Sequence, residues 1–257
     1  MQIKNKYILI TGANRGIGLG LAEVLARKNC HLHLLIRKSD PQLVDRLKAA
    51  GALSVQEWIY DLSNPQQVEE AISLLQKEKI DILINNAGAL TGGLLEEQKP
   101  EQIKTMFQTN LLTVIRLTQA LIPQMIQQRS GKIVNNASVS AVMHFPGAST
   151  YAAAKAGVLA FTNCLELELK GTGVSTLCLL TPGVKTRMFD DIERQYGKNL
   201  EVPQQSISVE DYAQQVIKAI QNDNTVLYPQ GSTFWGLSIA QHLPSLFKTA
   251  VSKKFKR

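Results

Sequence analysis

The sequence predicts an α/β protein built on a doubly wound, mainly parallel seven-stranded sheet with helices on both faces. Three observations carry that expectation. Short apolar runs rich in β-branched residues alternate with longer segments of helical period, the pattern of repeated βαβ units. A cluster of glycines follows the first apolar run directly, as a strand-to-helix turn beside a ligand requires. The 257 residues are enough to bury a sizeable core, and α/β chains of this length form a single domain, here 1–257.

Strands are expected near 6–11, 31–36, 54–59, 81–84, 131–137, 173–179 and 225–228, where β-branched and apolar side chains concentrate. Helices are expected near 16–29, 41–50, 65–78, 101–127, 150–170, 208–222 and 233–252. Two helix starts carry their own signals, because Ser39-Asp40-Pro41 and Ser63-Asn64-Pro65 each set a capping side chain before a proline suited to the first turn. Ligands of such sheets bind beyond the carboxyl ends of the strands, so the residues just after each apolar run are the ones to inspect. Segment 186–206 is polar, contains Gly197 and Pro203, and exceeds an ordinary connection in length; it is expected to form a lid over the substrate.

The composition, 44% hydrophobic and 19% charged, excludes a disordered chain. Cys30, Cys164 and Cys178 are odd in number and far apart, which fits neither a disulfide framework nor a metal knuckle and points to a reducing, cytoplasmic setting. Met1 to Tyr7 lead straight into the first strand without the pattern of a secretory leader, and no apolar run is long enough to span a bilayer. The formal charge is +7, but Lys248, Lys253, Lys254, Lys256 and Arg257 supply five positive charges after Asp223 and no acidic residue follows it. That basicity is a tail and not a face, which argues against a nucleic-acid partner.

The first strand runs into Thr11-Gly12-Ala13-Asn14-Arg15-Gly16-Ile17-Gly18. Glycine lets a backbone turn sharply and approach a pyrophosphate, while the helix that follows offers unpaired N–H groups and the positive end of its dipole. Asn85-Asn86-Ala87-Gly88 follows the fourth strand, Ser138 the fifth, and Tyr151-Ala152-Ala153-Ala154-Lys155 opens a helix thirteen residues later. Ketone reduction needs a hydride and a proton donor for the nascent alkoxide. A free tyrosine titrates near pH 10, and a positive charge beside it favours its anion. Positions 151 and 155 share one helix face, so the lysine can lie beside the phenol.

The loop spacing Gly-x-x-x-Gly-x-Gly, together with these later segments, resembles the short-chain dehydrogenase/reductase family in its compact single-domain form, over about residues 1–230. The resemblance implies a catalytic set of Asn110, Ser138, Tyr151 and Lys155. Tyr151 would be the general acid/base, Lys155 would lower its pKa and bind the nicotinamide ribose, and Ser138 would hold the substrate oxygen. Asn110, in Gln108-Thr109-Asn110-Leu111, would support a water linking the lysine to solvent. A nicotinamide dinucleotide would contact Gly12, Asn14, Arg15, Gly16, Ile17, Gly18, Asn86, Ala87, Gly88, Pro182 and Gly183, besides Tyr151 and Lys155. Thr186 would bond the carboxamide, although Pro182-Gly183-Val184-Lys185-Thr186 is one residue shorter than the family spacing. Asp61 and Leu62 would lie near the adenine, while Asp61-Leu62-Ser63 equally suits a capping turn.

An acid at the end of the second strand would bind the adenosine ribose and repel a 2′-phosphate, but Ile36 occupies that position and Arg37 follows. With Arg15 in the glycine loop, this predicts NADP(H) in preference to NAD(H). His144 and Phe145, between Ser138 and Tyr151, are expected either to wall the substrate pocket or to pack. His31 and His33 share a strand face without a third ligand, so no metal is expected. The basic amphipathic segment 233–257 either covers the core or meets an anionic membrane surface or a lipid-like substrate.

The function expected is therefore interconversion of a ketone or aldehyde and an alcohol. The alternative is a catalytically silent cofactor-binding regulator or scaffold. The resemblance further implies a homodimer or homotetramer paired through the helices expected over 101–127 and 150–170.

Overall fold

The computed structural model describes residues 1–188, 190–191 and 206–255. Seven parallel strands form one sheet: β1 (Tyr7–Thr11), β2 (His31–Ile36), β3 (Ser54–Ile59), β4 (Ile82–Asn85), β5 (Gly131–Asn136), β6 (Val174–Leu179) and β7 (Val226–Leu227). Their order is β3-β2-β1-β4-β5-β6-β7, so the chain starts in the middle, winds outward to one edge, and returns to the middle at β4 before winding to the other. The direction reverses between β1 and β4, and a crevice opens there at the carboxyl ends.

Side-chain alternation divides the core into two layers. Ile8, Ile10, Leu32, Leu34, Ile82 and Ile84 face one side, where α1 (Gly16–Ala26), α2 (Pro41–Ala49) and α7 (Val209–Gln221) cover them. Leu9, Leu35, Leu83 and Ile133 face the other, against α3 (Pro65–Leu75), α5 (Thr113–Gln127) and α6 (Ser149–Glu168). Each such leucine or isoleucine withdrawn fully from water contributes about 2 kcal/mol, which explains why both faces of the central strands are apolar.

The two capping signals act as read. Asp40 Oδ1 accepts from the Leu43 N–H at 3.0 Å and Asn64 Oδ1 from the Gln66 N–H at 2.9 Å, each followed by a proline in the first turn.

Two helices differ from the sequence expectation. The stretch expected over 101–127 is α4 (Pro100–Phe107), a π turn over Gln108–Leu112, and then α5. The side chain of Asn110, wholly buried, bonds both main-chain groups of Ala89: its Oδ1 accepts from the N–H and its Nδ2 donates to the carbonyl, each at 2.8 Å. The extra residue in the turn accompanies that inward contact, which helical periodicity does not register.

The stretch expected over 233–252 is likewise two helices, α8 (Ser232–His242) and α9 (Pro244–Ser252). Pro244 cannot donate into a continuous helix and restricts Leu243 before it, so the chain bends there. Among the described residues no helix is long and apolar enough to cross a membrane. Most of the lid expected over 186–206, namely 189 and 192–205, lies outside the described residues.

Candidate active site

The glycine loop is anchored at three points. The Gly12 N–H donates to Leu35 O of β2 at 2.8 Å, and Thr11 Oγ1 accepts from the main-chain N–H groups of Asn86 and Ala87 at 2.9 and 2.8 Å. Asn86 Nδ2 returns a bond to Thr11 O at 3.1 Å. The ends of β1 and β4 are thus held together by Thr11, a residue whose role the sequence did not disclose. Gly12 has φ +68°, and a Cβ there would meet Ala87 Cα at 3.1 Å. A Cβ on Gly18 would lie only 2.2 Å from Gly12 O, so any side chain at that position forces the loop open.

Arg15 is the N-cap of α1 yet makes no side-chain cap, which leaves the first-turn N–H groups of Gly16, Ile17 and Gly18 without a capping side chain. A cradle with no room for Cβ atoms and an uncapped helix start fits a pyrophosphate. Thr186 closes one side, since a Cβ on Gly16 would touch its Cγ2 at 3.3 Å. Pro182 and Gly183 are half-buried on the way to it, and the Ile207 N–H donates to Gly183 O at 3.0 Å. Asn14 and Ile17 are half-buried, whereas Arg15 and, at the end of β2, Arg37 are exposed.

Asp61 Oδ1 accepts from the N–H and hydroxyl of Ser63 at 2.9 and 2.7 Å, which is the capping turn of the two readings. Its carboxyl nevertheless lies below the ordinary value. Burial raises it, but the two Ser63 bonds and the nearby Arg37 charge outweigh that effect, so Asp61 also sits within electrostatic reach of the expected adenosine end. Leu62 beside it is buried, and its carbonyl accepts from Thr113 Oγ1 at 2.9 Å, so the side chain packs in the core.

Past the crevice, β5 delivers Ser138 and α6 delivers Tyr151 and Lys155. Lys155 is almost wholly buried; its Nζ donates to Asn136 O at 2.6 Å and lies 5.9 Å from the Tyr151 ring centre. A Cβ on Gly88 would lie 3.5 Å from Asn110 Oδ1 and 4.0 Å from Lys155 Nζ, so the Asn86-Ala87-Gly88 backbone passes directly beside the lysine. Asn110, Ser138, Tyr151 and Lys155 are brought to one edge of the sheet together with the glycine loop.

Burial pushes the Tyr151 phenol up to about 12, while a hydrogen bond with the Ser138 hydroxyl pulls it down. Burial also lowers Lys155 to about 8, offset only by the Cys178 thiol. The ammonium is bonded to the Asn136 carbonyl and lies beside the Tyr151 ring.

A polar chain that the sequence reading missed supports this arrangement. Asn136 Nδ2 donates to Asn86 Oδ1 at 3.0 Å, Thr181 Oγ1 bonds Asn136 Oδ1, and Thr181 meets the Tyr212 hydroxyl of α7 at 2.6 Å. The signal was available: Asn135-Asn136 puts two amides directly after the apolar pair Ile133-Val134 of a fully buried strand. Such groups are buried only when they are paired.

His144 and Phe145 border an opening beside α6. With Pro146, Ser149, Ala152, Ala153, Ala156, Lys248, Val251 and Ser252 they line a cavity of about 500 Å³, and Ser138, Tyr151 and Lys155 are not among its lining residues. The Phe145 ring meets Phe247 edge-on at 5.8 Å, which makes it a packing contact for α9. The strand histidines are also accounted for by packing. His31 stacks on Tyr7 with ring centres 4.2 Å apart, and buried His33 accepts from Trp58 Nε1 at 3.1 Å. Among the described residues no group of three or more His, Cys, Asp or Glu could hold a metal.

A doubly wound sheet with a glycine cradle, and a Ser, Tyr and Lys gathered at the carboxyl edge beside it, defines a nicotinamide-dependent oxidoreductase. The chain belongs to the short-chain dehydrogenase family, whose model matches residues 6–197. It is 32% identical over 229 residues to the ketoacyl reductase HetN of Nostoc sp., covering 87% of this chain and 78% of that one. It is 33% identical over 208 residues to the 3-oxoacyl-[acyl-carrier-protein] reductase FabG of Vibrio cholerae, covering 76% and 81%. A solved short-chain dehydrogenase from Sphingobium yanoikuyae in complex with NADPH superposes with a TM-score of 0.80 at 26% identity, over 98% of this chain and 97% of that one. The protein is accordingly an NAD(P)-dependent oxidoreductase acting between carbonyl and alcohol.

Proposed function

We propose that the protein is an NADP(H)-dependent reductase of ketones or aldehydes, with Tyr151 as the proton donor. The observation that carries this reading is the buried Lys155 ammonium held at 2.6 Å on Asn136 O, beside Gly88 and Tyr151. A fold kept only to bind a cofactor has no need of a proton donor, whereas here the Tyr151 hydroxyl stands beside Ser138 and that lysine. A silent regulatory or scaffold role is therefore the weaker reading.

The dinucleotide, when bound, supplies the hydride. Gly12, Gly16 and Gly18 with the start of α1 would hold its pyrophosphate, and Gly88 and Thr186 would contact its nicotinamide half. Ser138 Oγ orients the carbonyl oxygen toward Tyr151 and stabilises the charge that develops there. Burial keeps the Tyr151 hydroxyl protonated at neutral pH, so a proton is present to pass to the alkoxide, which is the more basic partner. Lys155 then stabilises the phenolate left behind. The side chain of Asn110 is committed to Ala89 and keeps the backbone beside the cofactor in place.

Exposed Arg15 and Arg37, with buried Ile36 where an acid would select NAD, support a preference for the 2′-phosphate. The NADPH complex of the Sphingobium relative points the same way. The names of the Nostoc and Vibrio relatives make 3-oxoacyl thioesters the first ketones to try.

The test is NADPH consumption with a panel of 3-oxoacyl thioesters, simple ketones and aldehydes, repeated with NADH. Replacing both Arg15 and Arg37 by Ala is expected to lower kcat/KM for NADPH by roughly tenfold or more while barely changing NADH, since each charge-assisted bond is worth about 1.5–3 kcal/mol when well formed. Equal losses with both cofactors would remove the 2′-phosphate assignment and leave the reductase reading intact.

A further inference from the structure

The α8–α9 hairpin has one face anchored and one face uncovered. Leu237 and Ala240 are buried against Met143, Val158, Cys178 and Leu180, and Gly236 comes so close that a Cβ there would meet Met143 Cε at 3.1 Å. On α9, Phe247 packs edge-on against Phe145. The hairpin is therefore held to the body by its inner side.

On the outer side Trp235 and Ile239 lie four apart on one face of α8, and Leu243 at the bend and Leu246 on α9 add to the exposed apolar surface. Trp235 is 68% and Leu246 58% exposed. Phe234 meets the Trp235 ring at 5.7 Å and the Tyr228 ring at 6.3 Å, so three exposed aromatic rings cluster at the start of this surface. Lys248 on α9 and Lys253 just after it are exposed, Lys256 and Arg257 follow in the sequence, and from Asn224 onward the chain contains no Asp or Glu.

We infer that this hairpin is a docking surface for an anionic phospholipid bilayer, with the aromatic and aliphatic side chains entering the headgroup region and the lysines meeting lipid phosphates. Contiguous exposed apolar side chains rimmed by one sign of charge mark an interaction site rather than a solvated face. An indole among aliphatics with cations beside them is the composition of a helix lying in a membrane interface. Charge selects the occupant: a second copy seated on the same surface would bring two acid-free sets of lysines together, whereas an anionic leaflet neutralises them. The hairpin also supplies Lys248, Val251 and Ser252 to the 500 Å³ cavity over α6, so docking would bring that opening near the lipid.

The test is co-sedimentation of the full chain with phosphatidylcholine vesicles with and without phosphatidylglycerol, read alongside quenching of tryptophan fluorescence by brominated lipid. The wild type is expected to pellet with the anionic vesicles only, and its quenching to vanish in Trp235→Ser, because Trp58 is buried. Trp235→Ser with Leu246→Ser, and separately Lys248→Gln with Lys253→Gln, should each weaken binding by about tenfold or more. Both double variants should keep the wild-type melting temperature and turnover of a water-soluble ketone without vesicles, so this result is independent of the reductase assay. Failure of the wild type to pellet overturns the inference. So does loss confined to the lysine variant, which signifies adsorption without insertion. A fall in oligomer mass by light scattering in the serine variant, with vesicle binding unchanged, assigns the surface to a second copy and overturns it as well.

Discussion

Lys155 is an ammonium held where burial disfavours its charge. Burial lowers its pKa from 10.5 to about 8, so between those values the unfolded chain holds a proton that the folded one does not. Stability therefore rises with pH across that window, and the full cost of burying the charge is present below pH 8. Replacing Lys155→Met removes this cost, which amounts to about 3 kcal/mol at neutral pH, less what the bond to Asn136 O returns. The variant is expected to gain stability relative to the wild type at pH 7, to lose that advantage by about pH 10, and to be catalytically dead. Urea unfolding of both proteins at the two pH values checks this; a stability difference independent of pH would show that the lysine is not desolvated as the structure has it. Tyr151 and Lys155 were legible in the sequence because both lie on one helix face at a chemically meaningful interval. The bond that the ammonium makes was not, because the Asn136 carbonyl that accepts it comes from β5.

At the scale of elements, the sheet and most helices were readable from periodicity and from local signals such as Asp40-Pro41 and Asn64-Pro65, which act within one turn. The elements that were misread are those shaped by distant partners or by a single backbone group. The π turn at Gln108–Leu112 accompanies two bonds from Asn110 to Ala89, twenty-one residues away, and the α8–α9 bend depends on one missing N–H. Asn110→Leu would leave both Ala89 groups without these partners and is expected to cost about 2–4 kcal/mol. Because the Asn86-Ala87-Gly88 strand end runs beside Lys155, it should also lower affinity for the cofactor. Asn110→Asp, which keeps the acceptor and loses the donor, should fall between the two. Denaturation midpoints and dinucleotide titration by fluorescence measure these effects, and a leucine variant that binds cofactor as tightly as wild type would deny the turn its positioning role.

Over the whole molecule, the proposed catalytic groups Ser138, Tyr151 and Lys155 collect at the carboxyl edge of the sheet while a separate lock holds the opposite edge. Lys132 on β5 is fully buried and bonds Asp223 Oδ1 at 2.7 Å and Asn224 O at 2.9 Å, joining parts of the chain ninety-one residues apart. Ser175 Oγ on β6 donates to the same carboxylate oxygen at 2.8 Å. Lys132 holds the Asp223 carboxyl below its ordinary 3.8, so this contribution is present above that pH and is lost as pH falls through the depressed value. Asp223 sits at φ +55°, which asparagine also tolerates, so Asp223→Asn isolates the charge. The carboxylate is more than half exposed, and the expected loss is about 1–2 kcal/mol at pH 7, with kcat unchanged because the site lies at the other edge. Thermal unfolding at pH 7 and at pH 3 should show the gap between variant and wild type narrowing in acid.

The central claim is that Tyr151 delivers the proton in an NADPH-dependent carbonyl reduction, and the most direct measurement is turnover of the best ketone substrate by wild type and by Tyr151→Phe, followed through the absorbance of the reduced nicotinamide. The phenylalanine variant keeps the ring and loses only the hydroxyl, so cofactor affinity should be preserved while kcat falls by about 10²–10⁴. A variant that binds NADPH normally and turns over at the wild-type rate would contradict the account.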